Sequence, residues 1–188
     1  MGDTRIHIRR PSEIERIRRS ASIVAECLRL VKGMVRPGLT TGEIDRAVED
    51  LILRAGASPS FKGYMGYPAS TCVSVNEQVV HGIPGDRVLG DGDIVSVDVG
   101  AFLDGYHGDG AWTFPVGEVS KKASDLMSVT RECLDRAIQQ AVAGRRVGDI
   151  SSAIQVHAES HGYEVVRQLV GHGIGQSLHE GPQVPNYG

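Results

Sequence analysis

An internal repeat at a fixed spacing of 106 residues constrains the fold of this 188-residue chain more than any other feature of its sequence. At that spacing, Glu26-Cys27-Leu28 recurs as Glu132-Cys133-Leu134. Five further pairs match without a gap: Gly38 with Gly144, Gly42 with Gly148, Ile44 with Ile150, Ala47 with Ala153 and Gly56 with Gly162. Any two amphipathic helix pairs share some apolar positions, but glycines and a triplet at one offset indicate a diverged duplication. We therefore predict two related halves, at about 12–118 and 119–188.

Each half is predicted to begin with a pair of helices, because apolar residues recur there at spacings of three and four. Ser12 with Glu15, and Thr40 with Glu43, have the spacing of capping boxes at helix starts. The predicted helices cover 12–32, Thr40 to Gly56, about 122–142, and 149–161.

A β-hairpin is predicted between the two helix pairs. The segments IVSVDVGAF and YHGDGAWTF flank Leu103-Asp104-Gly105, which contains the Asp-Gly signal of a tight turn. Before them, the runs TCVSVN and QVVHGIP in residues 57–92 predict strands and structured loops. The repeat spacing places a second hairpin at about 200–222, beyond Gly188, so the second half is expected to be incomplete.

Asp98 and Asp109 interrupt the two strands of this hairpin, although aspartate is a poor strand residue. If the turn is at 103–104, the two aspartates face each other directly; if it is at 104–105, Asp98 faces Ala111 and Asp109 lies on the same face. A three-residue loop without a bulge would instead place them on different faces. Two carboxylates this close need a shared proton or a cation, and oxygen ligands favour divalent metals. The alternative is two aspartates that face solvent and never meet.

Three histidines lie in glycine-rich loop segments, where imidazoles are accessible. His172 and His179 lie in GHGIGQSLHEGPQ, and His81 lies in VVHGIP. An imidazole next to two carboxylates suits Zn, Co, Fe or Mn, and a loop histidine such as His81 suits a general acid, base or hydrogen-bond donor. His157 replaces Leu51 in the repeat and is instead predicted to be a satisfied core histidine.

Composition excludes several classes of function. A net charge of -3 and a pI of about 6.2 argue against an electrostatic nucleic-acid binder. No apolar run approaches the roughly 18 residues needed to cross a bilayer. Cys27, Cys72 and Cys133 contain no CxxC pair, which favours a reducing, cytoplasmic location.

Three motifs together resemble the type I methionine aminopeptidases, from about Ile8 to the last residue. They are GYMGYPASTCVSVNEQVVHGIP, SVDVGAFLDGYHGDGAWTF and GHGIGQSLHEGPQ, in that order. The resemblance implies an α/β fold of the pita-bread (creatinase/aminopeptidase-like) type, in which two pseudo-symmetric halves with covering helices surround a curved antiparallel sheet. It implies one metallo-aminopeptidase domain over 1–188, with two divalent metal ions (Co, Mn, Fe or Zn), that removes the N-terminal methionine of nascent polypeptides.

The resemblance also implies the metal ligands. Asp98 would bind one metal through both oxygens, Asp109 would bridge two metals, and His172 would bind the other. The family has two further glutamate ligands, one of them the proposed general base, in segments that do not occur in these 188 residues.

The residues that contact substrate follow in the same way. His81 and His179 match histidines that hydrogen-bond the substrate amide and steady the tetrahedral intermediate. The pocket for the methionine side chain is matched by Tyr64, Tyr67 and Cys72, with Phe61 and Leu178 at more variable positions.

Two other functions stay open at this point. A prolidase-like metallopeptidase shares the GHGIG and HE motifs, but it usually carries an extra N-terminal domain and lacks VNEQVVHGIP. A pita-bread binding module or inactive fragment would retain the fold without catalysis. The enzyme interpretation further implies a monomer that binds neither membrane nor specific nucleic acid, and it leaves ribosome association open.

Overall fold

Four helices and seven strands make up the regular structure of residues 3–188, which the computed structural model describes, with side chains from Ile6 onward. In chain order they are β1 (Asp3–Ile6), α1 (Pro11–Met34), α2 (Thr41–Arg54), β2 (Ser58–Pro59), β3 (Thr71–Val75), β4 (Ile94–Leu103), β5 (Tyr106–Pro115), α3 (Lys121–Gln140), α4 (Val147–Ser160), β6 (Gly171–Gly173) and β7 (Glu180–Val184). The four predicted helices are confirmed to within two residues at each end. None of the helices in this range is long and apolar enough to cross a membrane.

The chain divides into two compact units. The N-terminal unit consists of Ile8–Ser120 together with Ile174–Leu178, and the C-terminal unit consists of residues 3–7, Lys121–Gly173 and His179–Gly188. One domain with two related halves, at about 12–118 and 119–188, stays a prediction.

The core of the N-terminal unit lies between its helices and one face of its sheet. Strand β4 pairs with β5 along its whole length and with β3 and the short β2 on its other edge, always antiparallel. Alternate β4 residues from Val95 to Ala101 are fully buried against apolar residues of α1 and α2. Because side chains alternate along a strand, the even-numbered residues lie on the opposite face, where the candidate site is.

Helix α2 begins at the predicted capping box. The amide of Glu43 donates to the hydroxyl oxygen of Thr40 (3.2 Å), and the amide of Thr40 donates to the Glu43 carboxylate (2.7 Å). The predicted box of α1, Ser12 with Glu15, is wrong. The helix begins at Pro11, and the Glu13 carboxylate accepts from the amide of Arg10 (2.9 Å). Proline suits the first helical position, so the helix starts at Pro11, one residue before the predicted start at Ser12.

A close backbone contact seats α1 on the hairpin. A Cβ at Gly108 would lie 2.5 Å from the backbone of Ser20 and Ala21, so only glycine allows this approach. The buried Ser20 hydroxyl donates to the carbonyl oxygen of Tyr106 (2.9 Å). Glycine at position 108 of β5 is therefore a packing requirement.

The QVVHGIP segment is not a strand. Of the two β-type runs before the hairpin, TCVSV forms β3, whereas Gln78–Pro84 is irregular. Its exposed apolar residues, Val79, Val80 and Ile83, show that the β-branched pattern there has no strand partner to pack against.

The C-terminal unit contains α3, α4 and a three-stranded sheet in the order β1-β7-β6. The two helices pack through a small apolar cluster formed by Val129, Cys133 and Ala158. His157 is buried as predicted, at 7% exposure, but its partner is the Glu132 carboxylate and not an apolar core.

Candidate metal centre and substrate pocket

The turn of the hairpin decides between the two predicted registers. Asp104 and Gly105 both have positive φ angles, 51° and 84°, as a two-residue turn of type I′ requires. Asp98 consequently lies opposite Ala111, and Asp109 lies opposite Gly100. The aspartates are two positions apart along the same face, so the register with residues 104–105 in the turn is the correct one.

The two carboxyl groups are in direct contact. Burial, the charge of Asp109 and a hydrogen bond between the two side chains raise the pKa of Asp98 to about 7. The predicted approach of both carboxyl groups on one face of the hairpin is confirmed, and the alternative of two separate solvent-facing aspartates is excluded. A like-charged pair of oxygen donors that must share a proton fits a divalent cation. The role of Asp98 and Asp109 as metal ligands stays a prediction.

An apolar cluster adjoins this carboxyl pair. Cys72 lies on β3 directly opposite Asp98, and its buried side chain packs with Phe61 and Leu178. Tyr67 packs against the same cluster. These four residues were all predicted for the methionine pocket, and the structure brings them together within the N-terminal unit.

Tyr67 is held in place through its hydroxyl. This group shares its one proton between the carbonyl oxygens of Thr71 and Gly82, each 3.0 Å away. Burial, together with a hydrogen bond between the side chains of Tyr67 and Cys72, raises the pKa of Tyr67 above its usual range. Burial also raises the pKa of the Cys72 thiol, which rules against a thiolate nucleophile there. The side chains of Tyr67 and Cys72 are therefore both uncharged beside the carboxyl pair.

Tyr64 does not belong to this cluster. It starts a short 3-10 turn, Tyr64–Gly66, and 42% of its surface is exposed. Its predicted place in the methionine pocket stays a prediction.

His81 is exposed on the irregular segment beside β3, with a φ angle of 58° that few non-glycine residues adopt. The next residue, Gly82, holds the segment down, because its carbonyl oxygen accepts from the amide of Val73 (2.8 Å) and its amide donates to the Ser74 hydroxyl (3.0 Å). A Cβ at Gly82 would lie 2.2 Å from the Val73 carbonyl oxygen. The position of His81 therefore depends on a glycine at its neighbour.

His172 and His179 lie in the C-terminal unit, on β6 and immediately before β7. Their rings pack against each other, with centroids 4.2 Å apart. Nδ1 of His172 lies 3.0 Å from the carbonyl oxygen of Gly173. When Nδ1 donates a hydrogen bond to this oxygen, the lone pair of the ring is on Nε2, which points away from the backbone. Metal-binding histidines commonly have this arrangement.

Two further residues of the N-terminal unit make long-range hydrogen bonds, and one of them, Asp45, was not predicted. Asp45 on α2 accepts hydrogen bonds through Oδ1 from the amides of Ser70 and Thr71 and from the Thr71 hydroxyl, at 2.8–3.0 Å. His107, on the same face as Asp109, is bonded through Nδ1 to the Ser60 hydroxyl (2.8 Å). No local pattern identifies either residue, because their partners are 25 or more positions away in the chain.

Comparison with known proteins places the chain in a family. The model of metallopeptidase family M24 matches residues 15–188, and the chain belongs to that family. Within it, the chain is 52% identical over 184 residues to a methionine aminopeptidase of Clostridium acetobutylicum, covering 97% of this chain and 74% of that protein. It is also 52% identical over 178 residues to methionine aminopeptidase 1 of Bacillus subtilis, covering 95% and 72%.

Solved structures agree with this placement. The crystal structure of methionine aminopeptidase from Thermotoga maritima superposes with a TM-score of 0.96 at 48% identity, covering 98% of this chain and 74% of that one. The prolidase from Pyrococcus furiosus superposes with a TM-score of 0.85 at 25% identity, covering 96% and 52%. The predicted pita-bread fold and the predicted metallopeptidase of the methionine aminopeptidase kind are confirmed. The prolidase alternative is disfavoured by the difference in identity.

Proposed function

We propose that the protein hydrolyses the peptide bond after an N-terminal methionine, with two divalent ions among Co, Mn, Fe and Zn. The observation that carries the proposal is the contact between Asp98 and Asp109 next to the apolar cluster of Phe61, Cys72 and Leu178. A cation site beside an apolar cluster suits a substrate with a free amino terminus and an apolar first side chain.

The donor set supports divalent metals. Two contacting carboxyl groups bind metal in place of their shared proton, so proton release and metal binding are coupled at this pair. Divalent ions held there supply Lewis acidity for peptide hydrolysis. His172, from the C-terminal unit, is proposed as the ligand of the second ion on the basis of the resemblance.

The neighbouring residues are assigned to substrate. Phe61, Cys72, Leu178 and Tyr67 form an uncharged wall that favours methionine over lysine or glutamate at the first position. His81 and His179 are proposed to donate hydrogen bonds to the substrate amide and to the developing negative charge on the carbonyl oxygen. A cytoplasmic monomer that acts on nascent chains fits three unpaired cysteines, all buried.

Release of methionine from a Met-Ala-Ser peptide, by protein loaded with Mn²⁺ or Co²⁺, tests the proposal. Asp109→Asn should abolish release and lower the bound metal, because the proposed bridging carboxylate is lost. His81→Ala should reduce turnover and leave the metal content unchanged. Asp50→Asn, an exposed aspartate on α2, is the matched control and should retain full activity.

Three results would contradict the proposal. Full activity in Asp109→Asn would remove this residue from the metal site. Loss of metal in His81→Ala would make that residue a ligand. Faster cleavage of an Ala-Pro dipeptide than of the methionine peptide would favour the prolidase-like function.

A further inference from the structure

A second cluster of metal-binding side chains lies far along the chain from the first, between α3 and α4. Glu132, His157 and His161 each place one potential ligand atom within 4.8 Å of the others. Nε2 of His157 is 2.9 Å from Oε2 of Glu132, and the two imidazole rings are 4.4 Å apart between centroids. The three residues line one side of a groove of about 630 Å³.

Helix geometry explains why the two histidines converge. They are four residues apart, one turn of α4 and its C-terminal cap, so their side chains project from the same face. Glu132 is in the middle of α3, which packs against α4 through the neighbouring Cys133. The cluster thus has two ligands from one rigid element and a third from its packing partner.

The hydrogen bonds hold the three side chains in an arrangement that a cation can use. His161 makes its contacts through Nδ1, to the carbonyl oxygen of His157 (2.9 Å) and the hydroxyl of Ser160 (3.1 Å). With Nδ1 as the donor to the carbonyl, the lone pair of the ring is on Nε2. The hydrogen bond from His157 lowers the pKa of Glu132, so this carboxylate is ionised at neutral pH. A bound Zn²⁺ would replace the proton that Nε2 of His157 donates to Glu132, which gives a donor set of two imidazoles and one carboxylate.

Little movement separates this arrangement from a coordinated one. Ligand atoms bound at about 2.0–2.1 Å in a tetrahedral site lie roughly 3.3 Å from each other. The contact between Glu132 and His157 would open by about 0.4 Å from its 2.9 Å, and the exposed ring of His161 would rotate inward. Water would complete the coordination, as in other zinc sites with three protein ligands.

The internal repeat indicates that this face is open to solvent. Positions 132, 157 and 161 correspond, at the spacing of 106, to Glu26, Leu51 and Ala55 of the N-terminal unit. In that unit Glu26 and Ala55 are exposed, and Leu51 is partly buried against the core. The equivalent face of α3 and α4 is therefore the side away from the core.

We propose that Glu132, His157 and His161 form a binding site for a borderline divalent cation, with Zn²⁺ as the representative ion, which joins α3 to α4. Arg136 lines the same groove, and its positive charge opposes a cation there. Removal of that charge should therefore strengthen binding, whereas removal of any ligand should weaken it. Loss of binding when an imidazole is replaced, with the charges of Glu132 and Arg136 unchanged, distinguishes coordination from a nonspecific electrostatic interaction.

Calorimetric titration with Zn²⁺ tests the site when the number of ions bound by each variant is compared with the number bound by the unaltered protein. Ions bound at the other metal centre then cancel in the comparison. His161→Ala should bind one Zn²⁺ fewer per chain than the unaltered protein. Glu132→Gln should weaken that same ion by roughly 10–100-fold or more, since even loss of a residue that only orients a ligand has an effect of this size. Arg136→Gln should bind it at least as tightly. His7→Ala is the matched control, an exposed histidine outside the cluster, and should bind as the unaltered protein does.

A second measurement identifies the ligands directly. In the unaltered protein, Zn²⁺ should shift the imidazole nitrogen resonances of His157 and His161 together, with the same saturation point. Resonances that do not move at saturating Zn²⁺ would overturn the proposal, as would an unchanged stoichiometry in a folded His161→Ala variant. If that variant does not fold, the resonances of the unaltered protein decide the outcome.

Discussion

Replacement of Asp45 by alanine should destabilise the protein and disturb the candidate site from a distance. Asp45 lies on α2, and its Oδ1 accepts three hydrogen bonds from Ser70 and Thr71, two of them from backbone amides. Both donor residues are fully buried. Thr71 is the first residue of β3 and precedes Cys72, which lies opposite Asp98. Asp45 therefore sets where β3 begins.

The size of the effect follows from the donors left without a partner. A buried donor that loses its partner costs about 1–3 kcal/mol, and Asp45→Ala leaves three. Asp45 itself is only partly buried, so water can enter the space and satisfy some of them. We expect a loss of about 3–5 kcal/mol in the free energy of unfolding, a large share of the stability of a typical domain. Because Cys72 would shift relative to Asp98, methionine release should fall as well.

Urea unfolding, followed by the fluorescence of Trp112, measures the loss, and a methionine-release assay at saturating metal measures the second effect. Asp45→Asn is the matched control, because its side-chain oxygen can still accept hydrogen bonds. Each of the three hydrogen bonds should weaken by about 1 kcal/mol or less, because the acceptor is no longer charged. A loss below about 1 kcal/mol in Asp45→Ala, or equal losses in the two variants, would refute this reasoning.

Two further outcomes are expected. In the metal-free protein, the pKa of Asp98 is about 7 instead of 3.8, so between these pH values the folded state retains a proton that the unfolded state has released. The free energy of unfolding should therefore fall as pH rises from about 4 to about 7, by at most about 4 kcal/mol. Urea unfolding in EDTA at pH 5 and pH 8 should show this difference reduced in Asp98→Asn. Gly82→Ala should lower turnover with unchanged metal content, because the new Cβ, 2.2 Å from the Val73 carbonyl oxygen, displaces the segment that carries His81; turnover equal to the unaltered protein would contradict this.

Local signals were sufficient for most of the helices. The box of Thr40 with Glu43 placed the start of α2 correctly because its hydrogen bonds span only three residues. The start of α1 was misplaced because two overlapping acidic residues, Glu13 and Glu15, could each serve as the partner. The choice was made by Pro11, which has no amide proton to leave unsatisfied in the first turn.

The candidate site was predictable where it depends on alternation within a strand. Asp98 and Asp109 lie on one face because both possible two-residue turns preserve the parity of the hairpin. Which turn forms was left open, since both alternatives contain Asp104, and the positive φ angles of Asp104 and Gly105 resolved it. The QVVHGIP segment failed as a strand because β propensity depends on partners that this segment lacks.

By itself, the sequence determined the helix pairs, the hairpin and the parity that joins Asp98 to Asp109, since each depends on hydrogen bonds or side-chain alternation over short distances in the chain. Only the tertiary structure decided which distant groups meet. Asp45 reaches β3 across 25 residues and His157 reaches Glu132 across the same distance, and neither contact has a periodic signature. His157 looked like a core residue because its repeat partner, Leu51, is apolar, yet a single carboxylate on the neighbouring helix makes its burial a polar contact. Which side chains pack together depends on the three-dimensional arrangement of whole elements, and that arrangement is set by the summed burial of many residues rather than by the pattern around any one of them.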